Sequence, residues 1–127
     1  MSVINFTILG HPVPYLRMTQ REVWLMKLSE HKVRDTHLAK WKAIKRYLDW
    51  KDKVRVIALC AKKNLKDNPK SKTYMNITIF FRNKKHGDPD NIWKGIADAL
   101  FKNDKYVAGC FDFSYDKNYP RTEVEII

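Results

Sequence analysis

The sequence predicts an α/β (α+β two-layer) fold, a mixed sheet of about four strands with two main helices in the order β-α-β-α-β-β. Three observations predict it. Four short segments alternate apolar and polar residues with the two-residue period of a strand, and two others repeat at the three- and four-residue steps of a helix. The 127 residues suit a single domain, 1–127, around one core. Hydrophobic residues at 44% and aromatic ones at 13% supply enough apolar surface to offset chain entropy, which excludes wholesale disorder.

The first strand runs from Val3 to Leu9, with Ile4, Phe6 and Ile8 on one face and Asn5 and Thr7 on the other. It stops at Gly10-His11-Pro12-Val13-Pro14, where two prolines without backbone donors favour an extended, turn-rich connection. Residues 15–34 fit no single period and are expected to form a partly ordered excursion. Within them, Trp24, Leu25, Met26 and Leu28 read either as core packed under a loop or as part of an interface between copies.

Asp35 and Thr36 are candidate N-caps for a long helix from about His37 to Leu65, because Leu38, Trp41, Ile44, Tyr47, Leu48, Val54, Ala58, Ala61 and Leu65 make one apolar stripe. Asn68-Pro69-Lys70 closes that segment. A second strand follows, with Met75, Ile77, Ile79 and Phe81 on its apolar face, and ends in the turn Arg82 to Gly87. The next helix, about Pro89 to Lys102, turns Ile92, Trp93, Ile96, Ala97 and Leu100 inward. Val107, Gly109, Phe111, Phe113 and Tyr115 alternate as a third strand. After a loop from Asp116 to Pro120, Thr122, Val124 and Ile126 form a last strand, expected to pair with the third as an antiparallel hairpin.

Charge says more about partners than about fold. Against 14 acids stand 25 Lys and Arg, a net +11, and residues 31–72 alone hold fourteen cations and four acids, a net +10. Such an excess points to a polyanion, nucleic acid above all, against the plainer reading of a solvated basic surface. No apolar run approaches the roughly 18 residues of a membrane span. The first residues also lack the pattern of a signal peptide, so a soluble, cytoplasmic protein without membrane partners is expected. Cys60 and Cys110, without CxxC spacing, are expected to be buried, reduced residues. His11, His31, His37 and His86 form no metal-binding pattern and read as surface residues; His86, beside the acidic motif below, is the one to test for acid-base work.

In so basic a chain, clustered acids carry the information. Asp88-Pro89-Asp90-Asn91 opens the second helix, Lys94 and Asp98 follow at four-residue steps from Asp90, and Asn103-Asp104 comes after its end. Asp90, Lys94 and Asp98 thus share one helix face, expected to lie opposite the apolar stripe and beside the sheet's edge. Two readings fit. Asp88 is an N-cap, Pro89 an N1 residue and Asp90 a first-turn acid paired with Lys94. Alternatively, converging carboxylates bind Mg²⁺ or Mn²⁺, which takes a phosphate oxygen and activates water while the lysine adds a positive charge to the same phosphate.

The run from His86 to Leu100, followed by Asn103-Asp104-Lys105-Tyr106-Val107, closely resembles the RusA family of crossover junction endodeoxyribonucleases, marked by DxDNxxKxxxDAL and then an acidic pair before a valine. The resemblance extends to Gly10-His11-Pro12-Val13-Pro14 and to residues 120–126, and is least in residues 11–34. It implies a Mg²⁺-dependent (or Mn²⁺-dependent) homodimeric nuclease that resolves four-way junction DNA by paired nicks in recombination and repair. By the same resemblance, Asp88, Asp90 and Asp104 are the catalytic, metal-binding carboxylates and Lys94 is the basic residue at the scissile phosphate. Asn91 is a supporting position that orients a carboxylate, and Asp98 either assists the metal or fixes Lys94. Two departures stand out. Asn103 replaces an aspartate of many relatives, and Gly87 stands where some carry an arginine, which shifts phosphate contact toward Arg82, Lys84 and Lys85.

The long helix offers Lys40, Lys42, Lys45, Arg46, Lys51, Lys53, Arg55, Lys62 and Lys63 for binding DNA arms, of which Lys45 and Arg46 are singled out. The plainer reading pairs several of them with Asp49 and Asp52 or leaves them in solvent. The rival to an enzyme is a non-catalytic junction-binding protein with a degenerate site, motivated by the charge and by Asn103.

Overall fold

A computed structural model describes residues 3–61, 72–101 and 104–127. Strand β1 (Ile4–Leu9) leads through a proline-containing loop to helix α1 (Gln20–Met26), a 3-10 turn (Glu30–Lys32) and helix α2 (Asp35–Ala61). Strand β2 (Thr73–Phe81) and helix α3 (Pro89–Leu100) follow. A 3-10 turn (Asp104–Tyr106) then precedes strands β3 (Val107–Ala108), β4 (Phe111–Tyr115) and β5 (Arg121–Ile126). The class is as the periodicities predict, but the counts differ: the described residues form three helices, not two, and a mixed sheet of five strands, not four.

The pairing differs from the expected hairpin. β5 lies between β1 and β2, antiparallel to both, while β3 and β4 run parallel to β2 on its other side. The single third strand is also divided, by Gly109 and Cys110, into β3 and β4. A short loop favours a hairpin only when the two strands want the same neighbourhood. Here Thr122, Val124 and Ile126 are all buried, so β5 needs a central place, whereas every residue of β4 is exposed. The Asp116 to Pro120 loop makes the crossing over the end of β2: the Asp116 N–H donates to the Phe81 carbonyl at 2.8 Å, and the Arg121 guanidinium lies 3.9 Å from the Phe80 ring centre.

Alternation places the core. Phe6, Ile8, Met75, Ile77, Ile79, Phe81, Val124 and Ile126 project from one sheet face against α2 and α3, which contribute Trp50, Val54, Ala58, Ile92, Ile96 and Leu100. Fully burying a side chain such as Ile92 or Ile96 is worth about 1.5–3 kcal/mol. The aligned residues Asn5, Thr7, Asn76, Thr78, Glu123 and Glu125 line a hollow on the other sheet face.

The first half of α2 closes a second cluster. Leu25, Val33 and Ile44 are buried there, with Leu16, Met18, Met26, Leu28, Leu38, Trp41 and Leu48 packed around them. Most of the unread apolar residues of 15–34 are therefore core; Trp24 alone among the four singled out stands well out, 60% exposed. α2 begins at Asp35, so Asp35 and Thr36 are in its first turn and do not precede it. Leu65, Asn68 to Lys70, Lys102 and Asn103 lie outside the described residues. Both cysteines are free and exposed, against expectation, because Cys60 falls on the solvent side of α2 and Cys110 in the β3–β4 connection. No helix among the described residues is long and apolar enough to cross a membrane.

Candidate active site at the start of α3

The chain leaves the carboxyl end of β2 through the turn Arg82 to Gly87 and enters α3 at Asp88. β4 runs parallel to β2 and ends beside it at Tyr115, paired with Phe81. The N-terminus of α3 therefore stands at the carboxyl ends of two parallel strands, where open α/β sheets place ligand sites. Asp88 caps the helix: its Oδ1 accepts the Asp90 N–H at 3.0 Å, and Pro89 occupies the first turn. Such a cap contributes about 0.5–2 kcal/mol. Lys94 Nζ is 3.3 Å from Asp90 Oδ2, one turn on, with both side chains about half exposed at 51% and 49%. Capping uses one oxygen of Asp88, and the lysine touches one oxygen of Asp90; each carboxylate keeps another oxygen.

Asp98 turns elsewhere. Its Oδ2 accepts the Tyr47 hydroxyl at 2.7 Å and lies 2.8 Å from Lys51 Nζ, so it ties α3 to α2 and does not reach Lys94. Eight residues along a helix accumulate enough angular drift to move Asp98 off the face of Asp90. Burial opposes its charge, but hydrogen bonds from Lys51 and Tyr47 outweigh that and hold the carboxyl below its ordinary value. Burial and the same carboxylate push the Tyr47 hydroxyl well above its usual range, so it remains a donor.

Asp104 is at the far end. α3 is about 18 Å long for its twelve residues. The turn that begins at Asp104 leads into Val107, paired with Thr73 at the opposite end of β2 from Phe81 and roughly 26 Å along the strand. Asp88 and Asp104 of one chain thus lie at opposite ends of the helix. Among the described residues, no three His, Cys, Asp or Glu side chains converge as a metal site. Asp88 and Asp90 still offer hard oxygen donors in a solvent-open setting, which suits an ion that keeps most of its waters.

The loop after β1 braces this site. The Tyr15 N–H donates to the Asn91 carbonyl at 2.9 Å, and a β-carbon at Gly95 would sit 3.3 Å from Tyr15 N. A β-carbon at Gly87 would sit 2.9 Å from Pro14 Cγ, so glycine there is the condition for the two loops to touch. His86 stacks on the buried Phe81 ring, centroids 3.6 Å apart and planes within 8°. Its Nδ1 lies 2.8 Å from the Gly87 carbonyl, which accepts, and its Nε2 lies 3.1 Å from the Tyr115 hydroxyl. Sequence reasoning missed Tyr15, Tyr47, Lys51 and Tyr115 as supports. Tyr47 and Asp98 are 51 positions apart, and no local pattern connects them.

The basic helix is largely occupied with the fold itself. Lys40 pairs with Glu22 at 2.7 Å, Lys45 donates to the Met26 carbonyl at 3.1 Å, Lys53 to the Leu9 carbonyl and Arg55 to the Ala99 carbonyl at 2.6 Å. With Lys51 on Asp98, these cations join α2 to its neighbours and make no pair with Asp49 or Asp52. Lys42 and Arg46 are exposed, as are Arg82, Lys84 and Lys85 in the turn before α3, while Lys62 and Lys63 lie outside the described residues.

Paired carboxylates and a lysine at the carboxyl ends of parallel strands, flanked by open cations, form a class of site suited to phosphodiester chemistry. The sequence profile of the endodeoxyribonuclease RusA family matches residues 27–127, most of the chain, and the protein belongs to that family. No individual curated protein matches it. The matched region holds the whole motif from Asp88 to Asp104 and begins after the His11 to Pro14 loop.

Proposed function

We propose that this protein is a Mg²⁺-dependent endodeoxyribonuclease, with Mn²⁺ as an alternative ion, that acts as a homodimer on four-way junction DNA and makes paired symmetric nicks in recombination and repair. The observation that carries the reading is the Asp88, Asp90 and Lys94 arrangement at the start of α3 in a member of an endodeoxyribonuclease family. Asp88 and Asp90 would hold the ion, which when bound supplies charge neutralisation at the phosphate and a more acidic water. Lys94 orients Asp90 and presents its ammonium to the phosphate undergoing attack. Asn91 follows on the same turn as a polar support.

Two features of the fold support the dimer. Asp104, which the resemblance makes a third carboxylate, lies beyond reach of Asp88 in its own chain, so a complete set requires Asp104 of the partner subunit. Phe111, Phe113 and Tyr115 share the face of Ile77, Ile79 and Phe81 yet stay 40–50% exposed on the open edge beside α3. A two-fold axis through that edge and perpendicular to α3 would run the two α3 helices antiparallel, start against end. Two equivalent sites then serve the two-fold strands of a junction.

The test is cleavage of a synthetic four-way junction with Mg²⁺ and strand mapping. Wild-type protein should give symmetric nicks, and Asp90→Asn should abolish them while junction binding persists. Cleavage by Asp90→Asn at the wild-type rate sinks the assignment.

A further inference from the structure

Beside the carboxylates lies a cleft of about 450 Å³ that the family match does not account for, since half of its lining precedes residue 27. One wall is His11, Pro12 and Pro14 from the loop after β1, the other is Lys85 and His86 with Gly87, and Arg46 of α2 completes it. No acid lines it. Most cations of α2 are turned to internal partners, but Arg46 and Lys85 have no side-chain acceptor among the described residues, and both line the same hollow. Arg82 is close enough that, after burial, its charge is the next cause holding His11 below its ordinary value.

The cleft is preformed. The Leu9 carbonyl is held by Lys53, the Gly10 N–H by the Pro120 carbonyl at 3.0 Å and the Tyr15 N–H by Asn91, so the first loop is fixed at both ends. The opposite wall is fixed by the stack of His86 on Phe81 and by Tyr115. Two unpaired cations in a rigid, acid-free hollow attract an anion without a large ordering cost. Two residues separate Lys85 from Asp88, and Gly87 of the cleft wall directly precedes Asp88 in the chain, so the hollow adjoins the carboxylates.

We infer that this cleft is a phosphate-binding subsite that seats a backbone phosphodiester of the DNA strand next to the one cleaved, with Arg46 and Lys85 as its charged contacts. The inference rests on the nuclease reading above and names where the strand lies relative to Asp88 and Asp90. Arg46 takes two phosphate oxygens through its planar fork, and Lys85 acts as a point charge. The prolines and Gly87 keep the walls close without offering a competing carboxylate.

The experiment measures, without divalent metal, the affinity of the full chain for a four-way junction and for a single-stranded oligodeoxynucleotide over a range of salt. Arg46→Ala and Lys85→Ala should each weaken both and lower the slope of log affinity against log salt by about one, the double variant by about two. Arg46→Lys should keep the slope, which shows that charge and not folding is read. Lys42→Ala, on the same helix but outside the cleft, should change the slope by less. Unchanged slopes for Arg46→Ala and Lys85→Ala, or an equal loss in Lys42→Ala, overturn the subsite. The nuclease reading fails separately, if wild-type protein with Mg²⁺ leaves the junction uncut while the slopes still respond.

Discussion

Asp98 illustrates how one residue of an acidic motif can serve the scaffold. Its carboxylate takes a hydrogen bond from Tyr47 and an ion pair from Lys51 and so fixes α3, the helix that carries Asp90 and Lys94, onto α2. Asp98→Asn keeps the size but loses the charge. It should destabilise the fold by about 1–2 kcal/mol, a value reduced for the partial exposure of the pair. The pH dependence has a definite sign. Because the folded-state pKa lies below the ordinary value of 3.8, the stabilisation is complete above that pH and is lost as pH falls through the folded value. Chemical denaturation between pH 2 and 7 should therefore show a shallower acid decline in Asp98→Asn than in wild type, and equal slopes would refute the role.

At the scale of elements, the regular ones were legible because their periods are local. β1, β2, β5 and α3 fall where alternation and helical spacing put them, with Phe6, Ile8, Met75, Ile79, Ile92, Ile96, Val124 and Ile126 buried as expected. Pairing was not legible, because whether β5 neighbours β4 or β2 depends on which strand the sheet needs at its centre. Nor was the brace between Tyr15 and α3. A glycine in a helix interior ordinarily costs about 1 kcal/mol relative to alanine. At Gly95 that gain should not appear on substitution, since the added carbon meets Tyr15 main chain held by Asn91. Gly95→Ala is expected to melt no higher than wild type, and Gly95→Leu to melt several degrees lower; a clear rise in Tm for Gly95→Ala would show that the loop yields.

For the whole molecule, the net charge and the open aromatic edge make different demands on a partner. The proposed dimer puts Phe111, Phe113 and Tyr115 between two copies, so Phe113→Glu should bring a carboxylate into an apolar contact and lower the mass seen in sedimentation velocity from twice 15.1 kDa toward one chain. Circular dichroism should stay unchanged, because Phe113 is half exposed in the single chain. Junction cleavage should fall with the dimer, since in the proposed arrangement Asp88 and Asp104 meet only across it. A Phe113→Glu protein that remains a dimer would place the interface elsewhere.

The sequence by itself determined the class of fold, the buried faces of β1, β2, β5 and α3, the acidic motif at the start of α3 and the family. All of these rest on residues close together in the chain, where period and spacing are visible. Tertiary structure alone decided that β5 is central, that Asp98 belongs to Tyr47 and Lys51, and that most cations of α2 bind the protein's own carbonyls and carboxylates. These depend on contacts between residues far apart in sequence, which composition and spacing do not encode. The net charge of +11 thereby divides into cations that hold the helices together and a few, Arg46 and Lys85 among them, left open beside the acids.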